Sequence, residues 1–268
     1  MTQKQAHKLI RAFLMLLVIL APAASAQQVY EVDGTPGYNC WPMIQPVGDR
    51  IVCIYTIGKA HNPWEKGRAA YARYSDDGAR SWSEKNLIDC NADYGTSSIG
   101  KGTDSQGNAL FWIRRLDAEF RMALYRTSDG EHFQLLSTPY LNPKPMQITD
   151  IFHTPEGMAC LWFSDDYSHE HANKSWGILI SKDDGQTWEQ RVIESGLLKQ
   201  RTADAQHIFS APQAWGEAQV IAQGGTQRPY DSGNANAVAY KDKHYITYYS
   251  GDSINCKVVV AVSKYIKP

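Results

Sequence analysis

Two short stretches of this chain hold side chains that could do chemistry. His61-Asn62-Pro63-Trp64-Glu65-Lys66 is one, and Asp165-Asp166-Tyr167-Ser168-His169-Glu170-His171 is the other. In the second, His169 and His171 are two residues apart, a spacing that on a strand puts both imidazoles on one side. Two histidines and nearby aspartates could hold a divalent ion. No third ligand is set by spacing, so the expectation is a solvated loop, with no metal and no cofactor. Further polar and ionisable residues stand far apart along the chain: Arg114, Arg115, Asp117, Glu119, Asp150, Arg201, His207, Arg228, Tyr230 and Asn236. They can form one site only if a repeating architecture brings the chain back to the same place.

Such a repeat is present. Ser181-Lys182-Asp183-Asp184-Gly185-Gln186-Thr187-Trp188 reads S-x-D-x-G-x-T-W. Ser75-Asp76-Asp77-Gly78-Ala79-Arg80-Ser81-Trp82 repeats it with Ala79 in place of the glycine. Thr127-Ser128-Asp129-Gly130-Glu131-His132-Phe133 repeats it one residue short and ends on Phe133. The starts at 75, 127 and 181 are 52 and 54 residues apart. Ser or Thr and Asp side chains bond the amides of their own turn. Gly185 supplies positive φ, and the closing Trp82, Phe133 or Trp188 packs beneath the turn. These residues read as hairpin structure and not as catalysts. A period of this length, with a turn and an aromatic in each copy, predicts an all-β chain with one four-stranded propeller blade per repeat.

The strands are read accordingly. Blade one takes 41–46, 50–57, 67–75 and 85–90. Blade two takes 97–103, 109–114, 122–127 and 134–138. Blade three takes 146–153, 158–163, 176–181 and 190–194. The final blade takes 235–240, 244–250 and 257–263 and lacks a fourth strand. Residues 28–32 have the character to supply it beside 257–263, which would close the ring and remove two exposed edges. The stretch 201–233 has no turn motif and is shorter than a repeat. It reads as a degenerate fourth blade, giving a five-bladed β-propeller.

Residues 1–26 read as a cleavable signal peptide. Lys4, Lys8 and Arg11 precede the apolar run 12–21, and Ala24-Ser25-Ala26 is a cleavage site. Residues 27–268 are then a single domain, secreted or periplasmic, with no membrane span. The segment 27–268 carries 24 basic and 28 acidic residues, without a block of either sign, which argues against nucleic acid as a partner. A monomer is the working expectation. Fifteen tyrosines and eight tryptophans suit strands, and also suit a surface that stacks on sugars. Of the five cysteines, Cys53 and Cys160 read as small buried residues in mid-strand, while a pair among Cys40, Cys90 and Cys256 stays open.

The three turn motifs resemble the Asp-box, or BNR repeat, of the sialidase superfamily of β-propellers. The resemblance implies that the Asp-box turns lie on one face and the substrate site on the other, at the axis. There it gathers His61, Glu65, Asp150, Asp166, His169, Arg201, His207, Arg228, Tyr230 and Asn236. Sialidases open blade one with Arg-Ile-Pro, whose arginine grips a carboxylate. Here Cys40-Trp41-Pro42 stands in that place, with Cys40 for the arginine. Arg201 and Arg228 could mark the other two arginines of that grip, and Tyr230 lies on the face of the nucleophilic tyrosine. Five-bladed hydrolases of the arabinanase type set carboxylates at the starts of inner strands, where one protonated and one ionised group flank a glycosidic bond. By that likeness Asp150, Glu65 and Asp166 are the catalytic candidates and the others bind substrate. The implied function is a glycoside hydrolase acting on a polysaccharide or glycoconjugate without the standard blade-one arginine. The alternative is a non-catalytic propeller that binds glycan or a protein partner.

Overall fold

A computed structural model describes residues 28–164, 175–193, 231–252 and 254–264. Asp166, His169, Arg201, His207, Arg228 and Tyr230 lie outside the described residues, as does most of the stretch 201–233. The described residues form seventeen strands and no helix. After β1 (Gln28–Asp33) come β2 (Tyr38–Val47), β3 (Arg50–Gly58), β4 (Ala69–Ser75) and β5 (Asn86–Asp89), an antiparallel blade. The second blade is β6 (Gly95–Thr103), β7 (Ala109–Leu116), β8 (Met122–Thr127) and β9 (Gln134–Ser137). In the third, β10 (Gln147–Ile148) and β11 (Phe152–Thr154) share one edge of β12 (Gly157–Ser164), followed by β13 (Ser175–Ser181) and β14 (Glu189–Ile193). The last is β15 (Asp231–Tyr240), β16 (Lys243–Gly251) and β17 (Cys256–Lys264). β1 is its fourth strand, antiparallel to β17 with Gln28 opposite Val262. One parallel bridge, Cys256 to Tyr38, then links the last blade to the first.

Consecutive blades pack face to face, so the central strands β3 and β7 are buried on both sides. That is why β3 and β7 read as near-continuous apolar runs and not as half-polar alternations. Ile51, Cys53 and Tyr55 face Val258, Val260 and Val262 of the last blade. Val52 and Ile54, pointing the other way, pack on Phe111 and Ile113. Leu110 and Trp112 then turn to Met158, Cys160 and Trp162 of the third blade. The inner strands also touch: Ser98 Oγ donates to Trp41 O, Ile44 N donates to Asn236 Oδ1, and Ile151 N donates to Lys101 O. Gly100 and Gly102 permit the last approach. A Cβ at 100 would stand 2.7 Å from Thr149 O, and one at 102 would stand 2.5 Å from Ile151 Cβ.

Each pair of blades from the last to the second is also locked by a buried Asp–Tyr–Arg set. Tyr55 OH donates to Asp33 Oδ2 at 2.5 Å, with Arg73 at 3.5 Å from the same oxygen. Between the first two blades, Asp89 accepts from Arg115 Nε (2.7 Å), Tyr94 OH (3.0 Å) and Tyr125 OH (3.2 Å). In both sets the aspartate ends the outermost strand of one blade, and an arginine and a tyrosine come from the next. Burial and the neighbouring carboxylate push the Tyr94 and Tyr125 hydroxyls up to about 12.

The turn motifs are three versions of one hydrogen-bonded knot. Asp183 Oδ1 accepts from Ser181 Oγ and Thr187 N, and Oδ2 from Thr187 Oγ1, while Gly185 N donates to Ser181 Oγ. Asp77 repeats this with Ser75, Arg80 and Ser81. Asp129 does so with Thr127, Glu131 and the His132 amide and ring. Partial burial opposes ionisation of Asp77, but these bonds outweigh it and bring its carboxyl down to about 2. Ala79, in the glycine place, takes φ +72°, the left-handed region that Gly185 occupies at +89°.

One expectation needs correction, and the open question of cysteine pairing is answered. The inner strand of blade three is not one run over 146–153. It breaks at Thr149-Asp150-Ile151, because Thr149 stays bonded to Leu161 while Ile151 N turns to Lys101 O on blade two. All five cysteines are free thiols, including Cys40, Cys90 and Cys256. Cys40 and Cys256 are buried and each has another partner: Cys40 Sγ lies 3.3 Å from Arg68 Nη1, and Cys256 Sγ lies 3.0 Å from Asp252 O. Burial pushes the Cys40 thiol up to about 12, against the pull of Arg68.

Candidate functional site

A cavity of about 270 Å³ lies where the inner strands converge. β2 contributes Trp41 and Met43, β6 contributes Ser97, Ser98 and Ile99, β10 contributes Gln147 and β15 contributes Ala235; Arg114 reaches in from β7. The three longest inner strands depart from regular pairing at this level: β2 between Cys40 and Met43, β6 between Ser98 and Gly100, and β15 between Gly233 and Asn236. The inner strand of blade three breaks just beyond Gln147. A bulge re-aims a side chain and widens the local twist, and bulges on adjacent strands at one height leave the space that the cavity occupies.

Trp41 is the aromatic wall. It holds φ +50°, an uncommon value for a bulky residue. Its carbonyl accepts the Ser98 hydroxyl, its ring packs against the Arg68 guanidinium at 4.9 Å, and the His61 ring meets it edge-on at 5.6 Å. Arg114 is the charged wall, 3% exposed. Its Nε donates to Ser97 Oγ at 3.0 Å and its Nη1 to Met146 O at 2.6 Å, so its plane is set by blades two and three together. Ser97, Ser98 and Gln147 complete a lining that offers an aromatic face, hydroxyls, an amide and a fixed cation. Among the described residues, no carboxylate lines the cavity.

The described candidates from the sequence have partners of their own. Glu65 accepts the Lys59 amide at 2.8 and 3.0 Å and pairs with Arg68 Nη2 at 3.2 Å, which shapes the loop from 59 to 68. His61 stacks on Tyr38 at 5.5 Å and is exposed on its outer side. Asn236 Oδ1 accepts Ile44 N at 3.0 Å, tying β15 to β2. Asp150 accepts Lys101 N at 3.1 Å and lies 3.7 Å from its ammonium. None of the four lines the cavity. Beside Cys40, the guanidinium of Arg68 is 1% exposed and bonded to Ala60, Asn62 and Glu65. Among the described residues no cluster of His, Cys, Asp and Glu is placed to hold a metal.

Arg114 was within reach of sequence reasoning. It shares a face with Leu110 and Trp112 at period two, and so points with them toward blade three. Ser97 and Ser98 carry a weaker signal, a strand of small residues in Gly95-Thr96-Ser97-Ser98-Ile99-Gly100 that suits close packing near an axis.

No protein-family model matches the chain, and no curated protein sequence matches it. Solved structures are similar in fold. A protein of unknown function from Dyadobacter fermentans DSM 18053 is 12% identical, with a TM-score of 0.55 over 90% of this chain and 99% of that one. A structure named glycoside hydrolase is 13% identical, with a TM-score of 0.42 over 100% of this chain and 82% of that one. One named sialidase is 10% identical, with a TM-score of 0.45 over 89% of this chain and 33% of that one. The Dyadobacter likeness shows the fold alone, and the other two superpositions are too loose to bear on function.

Proposed function

We propose that this is a secreted, glycan-binding five-bladed propeller whose axial cavity receives a sugar unit. The observation that carries the reading is the lining: Trp41 as a stacking face, Ser97, Ser98 and Gln147 as hydrogen-bonding groups, and Arg114 as a fixed cation. Few polar groups placed in a concave site by a rigid scaffold are what small-ligand sites require, and an aromatic face beside hydroxyl and amide partners suits a pyranose or furanose ring. A buried guanidinium favours an acidic sugar. The exposed face of blade three, where Phe152, Leu161 and Phe163 are uncovered, supports a further blade and with it the five-bladed reading. Secretion rests on the leader-like residues 1–26.

Hydrolysis is the second reading, and one observation favours it. The Asp150 side chain is 51% exposed beside the axis, open to a ligand on one side. Acid–base cleavage needs a second carboxylate at about 5 to 9.5 Å, and none of the described lining residues supplies it. A glycan-array screen followed by product analysis separates the readings. Capture of an acidic oligosaccharide without breakdown supports binding. Release of shorter products, lost in Asp150→Asn, supports the hydrolase. No retention of any glycan contradicts both.

A further inference from the structure

Lys101 stands on β6 two residues beyond Ile99, just past the stretch of that strand that lines the axial cavity. Its amide donates to Asp150 Oδ1 at 3.1 Å, and its carbonyl accepts Ile151 N at 2.6 Å. Its ammonium donates to Ala237 O on β15 at 2.8 Å and lies 3.7 Å from Asp150 Oδ2. β15 is not the neighbour of β6. β2 lies between them, bonded to β6 through Trp41 O and to β15 through Ile44 N. The lysine therefore spans the axial side of β2 and joins the second, third and last blades at the centre.

This is an unfavourable place for an ammonium. Lys101 is 6% exposed, and lysine is rarely buried unless paired. Desolvation outweighs the attraction of Asp150, the charged group that faces it, and draws the lysine below its ordinary value. A methionine would fill the same space without that penalty. What methionine could not supply is a directed bond to Ala237 O. Ala237 follows the bulge of β15 that carries Ala235 into the cavity wall.

We propose that Lys101 is a positioning residue for the axial site: it fixes the inner strand of the last blade, and with it Ala235, against the walls that blades one and two provide. This rests on the reading of the axial cavity as the site. Asp150 then serves as counter-ion and amide acceptor to Lys101, in place of the catalytic role the resemblance implied.

The test compares Lys101→Met, Lys101→Arg and the parent protein without any ligand. Deuterium exchange is followed in peptides from β15 and from β7–β8. Acrylamide quenching of Trp41 is taken as the difference from a Trp41→Phe counterpart in each background. In Lys101→Met, β15 exchange is expected to rise about tenfold through local opening, with Trp41 quenching rising and β7–β8 unchanged. Lys101→Arg is expected to restore both. Unchanged β15 exchange in Lys101→Met overturns the proposal, as does equal loosening of β7–β8 or a Lys101→Arg protein as loose as Lys101→Met. If Lys101→Met does not fold, Asp150→Asn decides: faster β15 exchange supports the proposal and parental exchange overturns it. Positioning confirmed in this way, with glycan affinity untouched by filling the cavity at Ala235, would leave the role of Lys101 standing and remove the axial cavity as the glycan site.

Discussion

Replacing Asp183 with alanine removes the acceptor at the centre of the third turn. Three bonds go at once: from Ser181 Oγ at 2.9 Å, Thr187 N at 2.9 Å and Thr187 Oγ1 at 2.6 Å. A bond to a charged acceptor contributes roughly 1.5–3 kcal/mol when its loss leaves a buried partner. Thr187 is exposed, so water replaces much of what its amide and hydroxyl lose. Ser181 is buried, but its hydroxyl keeps the bond from Gly185 N. The expected net loss is about 1–2 kcal/mol, or a fall in Tm of about 2–8 °C for a domain of this size. The pH dependence has a definite sign. Hydrogen bonds hold the Asp183 carboxyl below its ordinary value, although burial pulls the other way. Its contribution is therefore full above the unfolded value of about 3.9 and is lost as pH falls through the lower folded value. Urea unfolding at neutral pH should separate the variant from the parent, and the gap should close in strong acid. Equal midpoints at neutral pH would refute this account of the turn. So would a variant that melts normally yet no longer binds ligand.

Trp112→Ala should cost about 3–5 kcal/mol in denaturant unfolding, because Trp112 is fully buried between blades two and three with Trp188 at 5.1 Å; a loss below about 1 kcal/mol would contradict the face-to-face packing. Tyr55→Phe removes the 2.5 Å bond to Asp33 and should cost about 1–3 kcal/mol at neutral pH. Bonds from Thr35 and Tyr55 and the charge of Arg73 hold the Asp33 carboxyl low against its burial, so acid melting curves of parent and variant should converge as pH falls through that value; parallel curves would contradict the lock. If Cys40 takes the arginine place that the Asp-box resemblance implies, and with Arg68 buried beside it, aryl sialosides should release no sialic acid above the buffer rate. Robust turnover would mean that another arginine has taken the role.

Much of the architecture was legible because it is periodic. The turn motifs at 75, 127 and 181 mark one hairpin in each of three blades, and the strand read over 122–127 coincides with β8. The pairing of β1 with β17 followed from a blade one strand short, since an open edge needs a partner. The broken inner strand of blade three was not legible, because its cause is the bond from Ile151 N to Lys101 O, a contact between residues 50 apart. The surroundings of the candidate site residues were less legible. Glu65 and Asp150 have the types that chemistry needs, but their partners, Arg68 and Lys101, are set by packing and leave no mark in local sequence. Trp41 and Arg114 were in view, but their direction depends on a bulge and on a shared strand face. Asp166, His169, Arg201, His207, Arg228 and Tyr230 lie outside the described residues.

The central claim is that the axial cavity receives the glycan. Ala235→Leu tests it with the least disturbance, since it adds bulk at an exposed position of the cavity wall and removes no hydrogen bond made by Trp41, Ser97 or Arg114. Calorimetric titration with the tightest acidic oligosaccharide from the array should show at least about a tenfold loss of affinity, equivalent to about 1.4 kcal/mol, in a variant whose melting temperature matches the parent. Affinity equal to that of the parent would contradict the claim.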